Sequence, residues 1–283
     1  MNDQFNKGLL LTSIGSFWWG FIGVLYFQYV SFIGHIELVV HRCLWTAVML
    51  LFTTTILSKW SLFIKIIENK KYLFGLFISG FLIFINWAVW IYAVATERII
   101  DASFGYFIMP IISVLLGYVF FQEKLNQKRI FSISLVSISI LFLIFFSLKS
   151  LPWVGLIVAF SWAFYNLIRK KIYVDTDIGL LIESLYILPF ALVAFYLITK
   201  SGVNDFSFSN PGLSLFLILA GPMTVIPLFL YVRGVELIGL GPTGMIFYIT
   251  PTLQFILGYF HYNEEFSIIK FVSFIIIWIA VII

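Results

Sequence analysis

The sequence has 283 residues, of which 62% are hydrophobic and only 11% are charged, and its formal net charge is +4. A water-soluble domain carries about 25% charged residues, so this composition excludes an ordinary soluble globule and indicates a chain that folds in lipid. The positive charge does not indicate nucleic-acid binding, because the basic residues form short clusters between apolar runs, as orientation signals do.

Ten apolar runs follow one another along the chain, each close to the roughly 20 residues that cross a bilayer as a helix. They predict spans at 8–29, 36–57, 72–95, 99–121, 128–147, 153–173, 178–199, 212–235, 237–260 and 266–283. The runs lack the alternation of a membrane barrel, and the first is too long for a signal peptide. We therefore predict an all-α integral membrane protein with about ten transmembrane helices.

The basic residues are distributed unequally between the two sides of this topology. With a cytoplasmic N-terminus, the inner loops carry Lys59, Lys65, Lys70, Lys71, Lys124, Lys128, Arg129, Arg169, Lys170, Lys171 and Arg233. The outer connections carry Arg98, Lys149, Lys200 and Lys270. Because cytoplasmic loops are enriched in Lys and Arg, both termini are expected in the cytoplasm. The last run reaches Ile283 without a charged tail, which leaves truncation of the C-terminus open.

The chain matches itself at an offset of 141 residues, without gaps from about residue 86 to residue 135. The recurring residues include Pro110 and Pro251, Leu116-Gly117-Tyr118 and Leu257-Gly258-Tyr259, and Glu123 and Glu264. This predicts two five-helix repeats, at 1–150 and 151–283. Since five is an odd number, the second repeat enters the membrane in the opposite sense. Inverted repeats are typical of secondary transporters.

Two neighbouring ionisable residues lie inside the second predicted span. An arginine inside a membrane usually faces a partner or a cavity, so Arg42 is a candidate anchor for a carboxylate or phosphate on a solute. The alternatives are snorkelling to the headgroups or an internal ion pair with Glu37. His41 is a candidate proton relay, or a neutral ring that forms a hydrogen bond between helices.

Two further polar residues lie inside apolar runs. The 141-residue offset places Glu183 on Arg42, which suggests a gate pair or a proton site; an end-of-helix carboxylate beside Arg169 to Lys171 explains it as well. Asn86 is a candidate substrate contact, or an amide that joins two helices by hydrogen bonds. Asp175 and Asp177 form a close aspartate pair, for which a solvated turn is expected rather than a metal site.

Aromatic residues and prolines recur at mid-span. The aromatic set is Trp18, Trp19, Trp87, Trp90, Tyr106, Trp162, Tyr165, Tyr231 and Tyr248. Among these, Trp87, Tyr106, Trp162 and Tyr248 are candidates to line a cavity for flat or cationic solutes. The alternatives are interface belts and simple packing. Pro110 and Pro251 recur in both halves and are candidate hinges, with static kinks as the alternative.

The order of motifs along nearly the whole chain resembles the drug/metabolite transporter superfamily, EamA type, and within it the RarD (chloramphenicol-sensitive protein) group. The residues that carry the resemblance are Glu37-x-x-x-His41-Arg42 with Trp45, Asn86-Trp87, Ala102 to Ile108 with Pro110, Gly117, Glu123, Leu151-Pro152-Trp153, Tyr165, Arg169-Lys170-Lys171, Glu183, Pro189, Tyr248-x-x-Pro251-Thr252, and Phe274 to Trp278. The resemblance implies an inner-membrane transporter with ten helices in two inverted five-helix units.

The sequence lacks the motifs of several other functions. It has no ATP-binding Gly-x-x-x-x-Gly-Lys-Ser/Thr loop and no His-Glu-x-x-His, and its single cysteine, Cys43, builds neither a disulfide nor a thiolate metal site. We therefore predict a secondary transporter, not an enzyme, that moves a small organic solute by alternating access. No cofactor, metal or nucleic acid is expected, while a coupled proton or ion remains open.

Two alternatives belong to other functional classes. An intramembrane lipid-modifying enzyme needs clustered acids or a metal, which the sequence does not offer. A non-transporting membrane scaffold explains the spans, but it gives no reason for Arg42 or for the repeat. Substrate, direction, coupling ion and oligomeric state are not determined by the sequence.

Overall fold

A computed structural model of the chain describes residues 2–123, 126–146, 153–172, 174–264 and 268–282, which form helices and their connections. The helices are α1 (Asn2–Phe17), α2 (Gly23–Tyr29), α3 (His35–Ile56), α4 (Trp60–Ile67), α5 (Lys70–Ala95), α6 (Ile99–Phe121), α7 (Gln127–Phe146), α8 (Trp153–Lys171), α9 (Thr176–Lys200), α10 (Pro211–Ile218), α11 (Ala220–Ile238), α12 (Leu240–Ile246), α13 (Ile249–Phe260) and α14 (Ile268–Ile282). A π turn, Trp18–Ile22, joins α1 to α2 without a break in direction.

Six helical stretches in the described part of the chain are long and apolar enough to cross a bilayer. They are Asp3–Tyr29, His35–Ile56, Lys70–Ala95, Ile99–Phe121, Thr176–Lys200 and Pro211–Ile238. The all-α membrane class is therefore confirmed. The other four predicted spans correspond to α7, α8, the pair α12 and α13, and α14, which are shorter, interrupted or end in basic residues. That these four also cross the membrane remains a prediction.

The structure differs from the predicted boundaries at three places. The first helix begins at Asn2 rather than at residue 8. The connection expected at 58–71 contains α4, an eight-residue amphipathic helix whose Ile66 is buried with Leu76 and Val174. The predicted span 237–260 is two helices, α12 and α13, with a turn at Phe247 and Tyr248. Lys124, Lys149, Leu151 and Pro152 lie outside the described residues, as do the side chains of Arg129 and Lys270.

Helix packing brings the two halves of the sequence together. In the described bundle α1 packs on α11, α3 on α9, α7 on α14, and α8 fits between α5 and α6. Among the glycines, the closest approach to a neighbouring backbone is at Gly105 of α6, where a Cβ atom would be only 2.2 Å from the carbonyl oxygen of Gly155 in α8. Small residues at such crossings allow two backbones to approach, which is a common basis of helix association in membranes.

Polar contacts join several loops at one end of the bundle. Lys59 Nζ lies 2.6 Å from Asp177 Oδ2 and 3.6 Å from Asp175 Oδ1, Lys170 pairs with Glu123, and the Thr176 hydroxyl donates to a carboxylate oxygen of α11. The aspartate pair is thus bound to the connection between α3 and α4 and does not contact solvent alone. The hydrogen bond that Asp175 donates to Asp177, together with burial, raises the pKa of Asp175 above its usual range.

Candidate functional site

A small closed cavity lies between the helices of the first and second halves of the chain. Its lining consists of Trp19, Arg42, Asn86, Trp87, Trp90, Tyr106, Trp162, Phe247, Thr250 and Gln254. The cavity leaves about 20 Å³ for the centres of water-sized spheres, which is room for one or two waters. Five of the eight residues predicted as substrate contacts from the sequence, four from the first half and Trp162 from the second, therefore meet at one place.

Arg42 is the charged residue of this lining. It lies about two turns into α3, is only 3% exposed, and its guanidinium carbon is 4.7 Å from the ring centre of Trp87, 4.9 Å from Phe27 and 5.6 Å from Trp90. Cation–π attraction of this kind offsets part of the cost of burying the charge. The atoms Nε and Nη1 have no hydrogen-bond partner among the described residues.

Glu37 is not the partner of this arginine in the described structure. Its Oε1 atom accepts a hydrogen bond of 2.9 Å from the backbone N–H of Asp205 and lies 3.4 Å from His41 Nε2. The Nδ1 atom of His41 accepts from the indole of Trp45 over 3.2 Å, so Nε2 carries the proton of a neutral ring. His41 therefore lies in a polar cluster that binds the connection between α9 and α10, and it does not line the cavity.

Other polar atoms of the cavity lining also lack partners. The indole N–H group of Trp90 and both side-chain amide atoms of Gln254 are buried and form no hydrogen bond within the described structure. Buried polar groups are nearly always paired, and leaving one unpaired costs about 1–3 kcal/mol. A concentration of such groups around one cavity therefore indicates a place for a polar ligand or for water.

In contrast, both polar atoms of the Asn86 side chain form hydrogen bonds within the protein. Its Nδ2 atom donates to the carbonyl of Val158 and to Ser161 Oγ, each over 3.1 Å, and its Oδ1 atom accepts a 3.2 Å hydrogen bond from the Tyr106 hydroxyl. These bonds join α5, α6 and α8 at the edge of the cavity. Of the two uses considered from the sequence, the geometry favours the joining of helices, with Tyr106 oriented as a consequence.

An aromatic cluster closes one side of the cavity. The Trp162 ring lies 5.1 Å from Trp19 in a T-shaped arrangement, 5.3 Å from Tyr165 in a stacked one, and 5.5 Å from Tyr231. Phe247, at the turn between α12 and α13, packs against Tyr231 at 5.1 Å. Flat apolar faces thus surround the polar groups, as in most small-molecule sites.

Glu183 lies in a separate buried cluster. It is the eighth residue of α9 rather than an end-of-helix residue, and it is 2% exposed. Its carboxylate accepts from Ser79 at 2.5 Å and from the Tyr165 hydroxyl at 3.3 Å, and Arg169 Nη1 lies 3.4 Å away. The ion pair therefore joins Glu183 to Arg169 and not to Arg42.

Tyr248 and Pro251 differ from expectation in their positions, whereas Pro110 does not. Tyr248 lies outside the cavity, with its ring 5.9 Å from that of Phe107. Pro110 is in the interior of the continuous helix α6. Pro251 is not at mid-helix: it occupies the first turn of α13, directly after the break, where a proline removes no intrahelical hydrogen bond.

A wider pocket of about 670 Å³ opens at the end of the bundle where α6, α8 and α11 end, and Leu62 of α4 contributes to its lining. Its charged lining residues are Arg169, Lys170, Asp175, Arg233 and Glu236. We call it the vestibule. Tyr165 connects the vestibule to the cavity, because its hydroxyl belongs to the Glu183–Arg169 cluster and its ring stacks on Trp162.

Sequence reasoning missed four contributors to the site, which are Thr250, Gln254, Phe27 and Phe247. Gln254 carries the same signal as Asn86, an amide within an apolar run, and it could have been found in that way. Phe27 and Phe247 carry no signal, because they are two of 33 phenylalanines. A search of the described residues for three or more clustered His, Cys, Asp or Glu side chains returns no group that could hold a metal.

Comparison with known proteins places these features among transporters. Residues 6–145 match the model of the EamA-like transporter family. The chain is 33% identical over 277 residues to "Protein RarD" of Escherichia coli (strain K12), covering 98% of this chain and 93% of that protein. It is also 33% identical to "Uncharacterized transporter YojE" of Bacillus subtilis (strain 168), covering 97% and 92%. "Chloramphenicol-sensitive protein RarD" of Pseudomonas aeruginosa is 24% identical, over 87% and 83%.

Proposed function

The chain belongs to the RarD group of the EamA-like transporter family, and on this premise we propose that it is a secondary transporter that moves a small organic solute across the inner membrane by alternating access. The observation that carries the proposal is the closed cavity between the two sequence halves, in which Arg42 is buried without an anionic partner. Substrate sites of secondary transporters lie in this position, between the repeats and inside the bundle.

Local geometry supports the proposed repeat. Gln122 and Asn263, which are 141 residues apart, both adopt left-handed backbone, with φ of 53° and 52°. The residue that follows each of them, Glu123 or Glu264, donates its backbone N–H to a glycine carbonyl six residues earlier, over 3.2 Å and 3.0 Å. A non-glycine residue with positive φ is uncommon, so its recurrence with the same hydrogen bond favours two copies of one unit.

The contacts of the Glu123 and Glu264 carboxylates, and the packing of the helices, also correspond between the two halves at the 141-residue offset. Glu264 accepts hydrogen bonds from the N–H groups of Ile99 and Ile100 at the start of α6. Correspondingly, Glu123 Oε1 lies at the start of α12, 3.6 Å from where a Cβ atom on Gly239 would be. Likewise α1 packs on α11 as α8 packs on α5. This reciprocity favours two five-helix units, 1–150 and 151–283, inserted in opposite senses.

In the proposed cycle the cavity opens alternately towards the two ends of the bundle. Towards the vestibule, the aromatic cluster around Trp162 must separate. Towards the other end, the connection held by Glu37 and His41 must be released. Pro110, which removes one hydrogen bond inside α6, and the turn before Pro251 are the proposed hinges. The distribution of Lys and Arg favours cytoplasmic termini and a vestibule that faces the cytoplasm.

Exchange in proteoliposomes tests the proposal. Vesicles are loaded with a mixed metabolite pool, and mass spectrometry follows what moves at several pH values with and without an imposed ion gradient. We expect wild-type protein to move one class of solute and Arg42→Gln to stall. Arg98→Gln is the matched control. Arg98 forms a 2.8 Å ion pair with Asp101 and does not line the cavity, so this variant should keep the wild-type exchange rate.

The same experiment separates the proposal from its alternatives. If wild-type protein moves nothing from a broad pool under all these conditions, the transporter proposal fails. Conversion of a vesicle lipid, visible in the same mass spectra, would favour the intramembrane enzyme instead. Unchanged exchange by Pro110→Ala would refute the role of that proline as a hinge.

A further inference from the structure

The charge of the cavity lining is unbalanced. Arg42 contributes one positive charge, and none of the ten lining residues is an aspartate or a glutamate. A buried charge without a counter-ion is strongly unfavourable, and the aromatic faces around the guanidinium compensate only part of that cost. The missing component is therefore an anion, and a single cation matches a single negative charge.

The unpaired polar atoms specify more than charge. Nε and Nη1 of Arg42, the indole N–H group of Trp90, and the NH₂ group of Gln254 are all donors. The Oε1 atom of Gln254 is the one unpaired acceptor in the cavity lining. A donor-rich lining of this kind suits a ligand whose oxygens accept hydrogen bonds. It does not suit an amine, which would bring further donors and a like charge.

The shape of the lining is set by flat rings. Trp19, Trp162 and Phe247 present aromatic faces, and Tyr106 lies 5.4 Å from Phe247. The three rings nearest to the guanidinium are already in contact with a cation, so a second cation would have to compete with Arg42 for them. The faces that remain can stack on a planar uncharged ring.

We propose that the transported solute is a small aromatic monocarboxylate, with its carboxylate on Arg42 and its ring among Trp19, Trp162 and Phe247. The proposal rests on the proposed function, because it takes the cavity to be the transport site. The planar fork of arginine matches a carboxylate, whereas a phosphate ester would carry close to two charges against one cation. The cavity is nearly closed, so the ligand must be small and the lining must move apart to admit it.

Isothermal titration calorimetry of the purified full chain in lipid nanodiscs tests the inference with a matched set of probes. The probes are benzoate, benzyl alcohol, benzylamine, phenyl phosphate and cyclohexanecarboxylate. We expect benzoate to bind most tightly, with the alcohol and the amine at least tenfold weaker and the dianion and the saturated ring weaker as well. Tighter binding of benzylamine or phenyl phosphate than of benzoate would overturn the inference, as would no binding of benzoate at millimolar concentration.

Variants assign the binding to the cavity. Arg42→Gln should weaken benzoate by roughly 10- to 100-fold, the loss expected for hydrogen bonds to a charged group, and should leave benzyl alcohol unchanged. Gln254→Leu keeps the side-chain volume and removes the amide, so it should weaken the binding of benzoate several-fold. This variant tests the site if Arg42→Gln does not fold. Arg98→Gln should bind as wild type does. Wild-type affinity for benzoate in both cavity variants would place the anion elsewhere and overturn the inference.

Binding and transport can fail separately. If benzoate binds with this selectivity while proteoliposomes move no solute, the transporter proposal fails and the anion site stands. If proteoliposomes move only neutral or cationic solutes, the transporter proposal stands and the aromatic monocarboxylate is wrong.

Discussion

The buried ion pair between Arg169 and Glu183 makes a strong prediction about stability. Both side chains are 2% exposed, and Arg169 Nε has no hydrogen-bond partner among the described residues. Glu183→Gln keeps the shape and an acceptor for Ser79 and Tyr165, but it removes the negative charge 3.4 Å from the guanidinium. We therefore expect the variant to leave a buried cation without its counter-ion.

The size of the effect follows from what is lost. Removing one partner of a buried ion pair costs about 3–5 kcal/mol, because the remaining charge stays buried and unpaired. An ordinary hydrogen bond between membrane helices averages only about 0.6 kcal/mol, so the loss of a neutral contact would be far smaller. We expect a loss of about 3 kcal/mol in the free energy of unfolding, a factor of roughly 150 in the folding equilibrium.

Unfolding of the purified protein by SDS in mixed detergent micelles measures this loss. The double variant Arg169→Met/Glu183→Leu removes both charges, so it should be markedly less destabilised than the sum of the two single variants. Arg98→Gln is the exposed control and should cost no more than about 1 kcal/mol. A cost below about 1 kcal/mol for Glu183→Gln, or additive costs in the double variant, would refute the reasoning.

Three further predictions concern other parts of the fold. Lys59→Met should cost less than about 1 kcal/mol, because the lysine is one third exposed. Burial lowers the pKa of Lys59, but the hydrogen bond and charge of Asp177 outweigh burial and raise this pKa. The difference in the free energy of unfolding between Lys59→Met and wild type should therefore persist from about pH 6 to 9 and vanish as pH rises above about 10.4. Gly105→Ala should cost about 1–3 kcal/mol by overpacking against α8, whereas Gly212→Ala, which meets no crowded neighbour, should melt within a few degrees of wild type. Glu264→Ala should cost about 1–2 kcal/mol, because it removes the acceptor of two N–H groups at the start of α6, and a chemical unfolding curve measures that cost.

Long apolar runs allowed most helices to be predicted with good boundaries. The prediction of 99–121 coincides with α6, and that of 72–95 differs from α5 by two residues at its start. The helix α4 was missed because eight residues are too few to span a bilayer, and its amphipathic pattern acquires meaning only through the cluster that buries Ile66. The turn that divides α12 from α13 was missed because no charged residue interrupts the sequence there.

The sequence predicted which polar residues are buried, but not which of them line the cavity. A polar or charged side chain in an apolar run must find a partner, and this rule singled out Arg42, Asn86 and Glu183 correctly as buried residues. It could not distinguish a residue whose partners are protein atoms from one whose partner is missing. Asn86 is satisfied within the fold, while Arg42 is not.

The sequence by itself determined the solvent, the helical class and the family, because composition, hydropathy and motif order are properties of the chain alone. Only the tertiary structure decided which side chains share the cavity. Neighbouring residues of a helix point about 100° apart, so His41 turns towards Glu37 and Trp45 while Arg42 turns towards Phe27 and Trp87. Which of these directions leads to a cavity depends on the helices that pack there, and their arrangement comes from contacts between residues far apart in the chain.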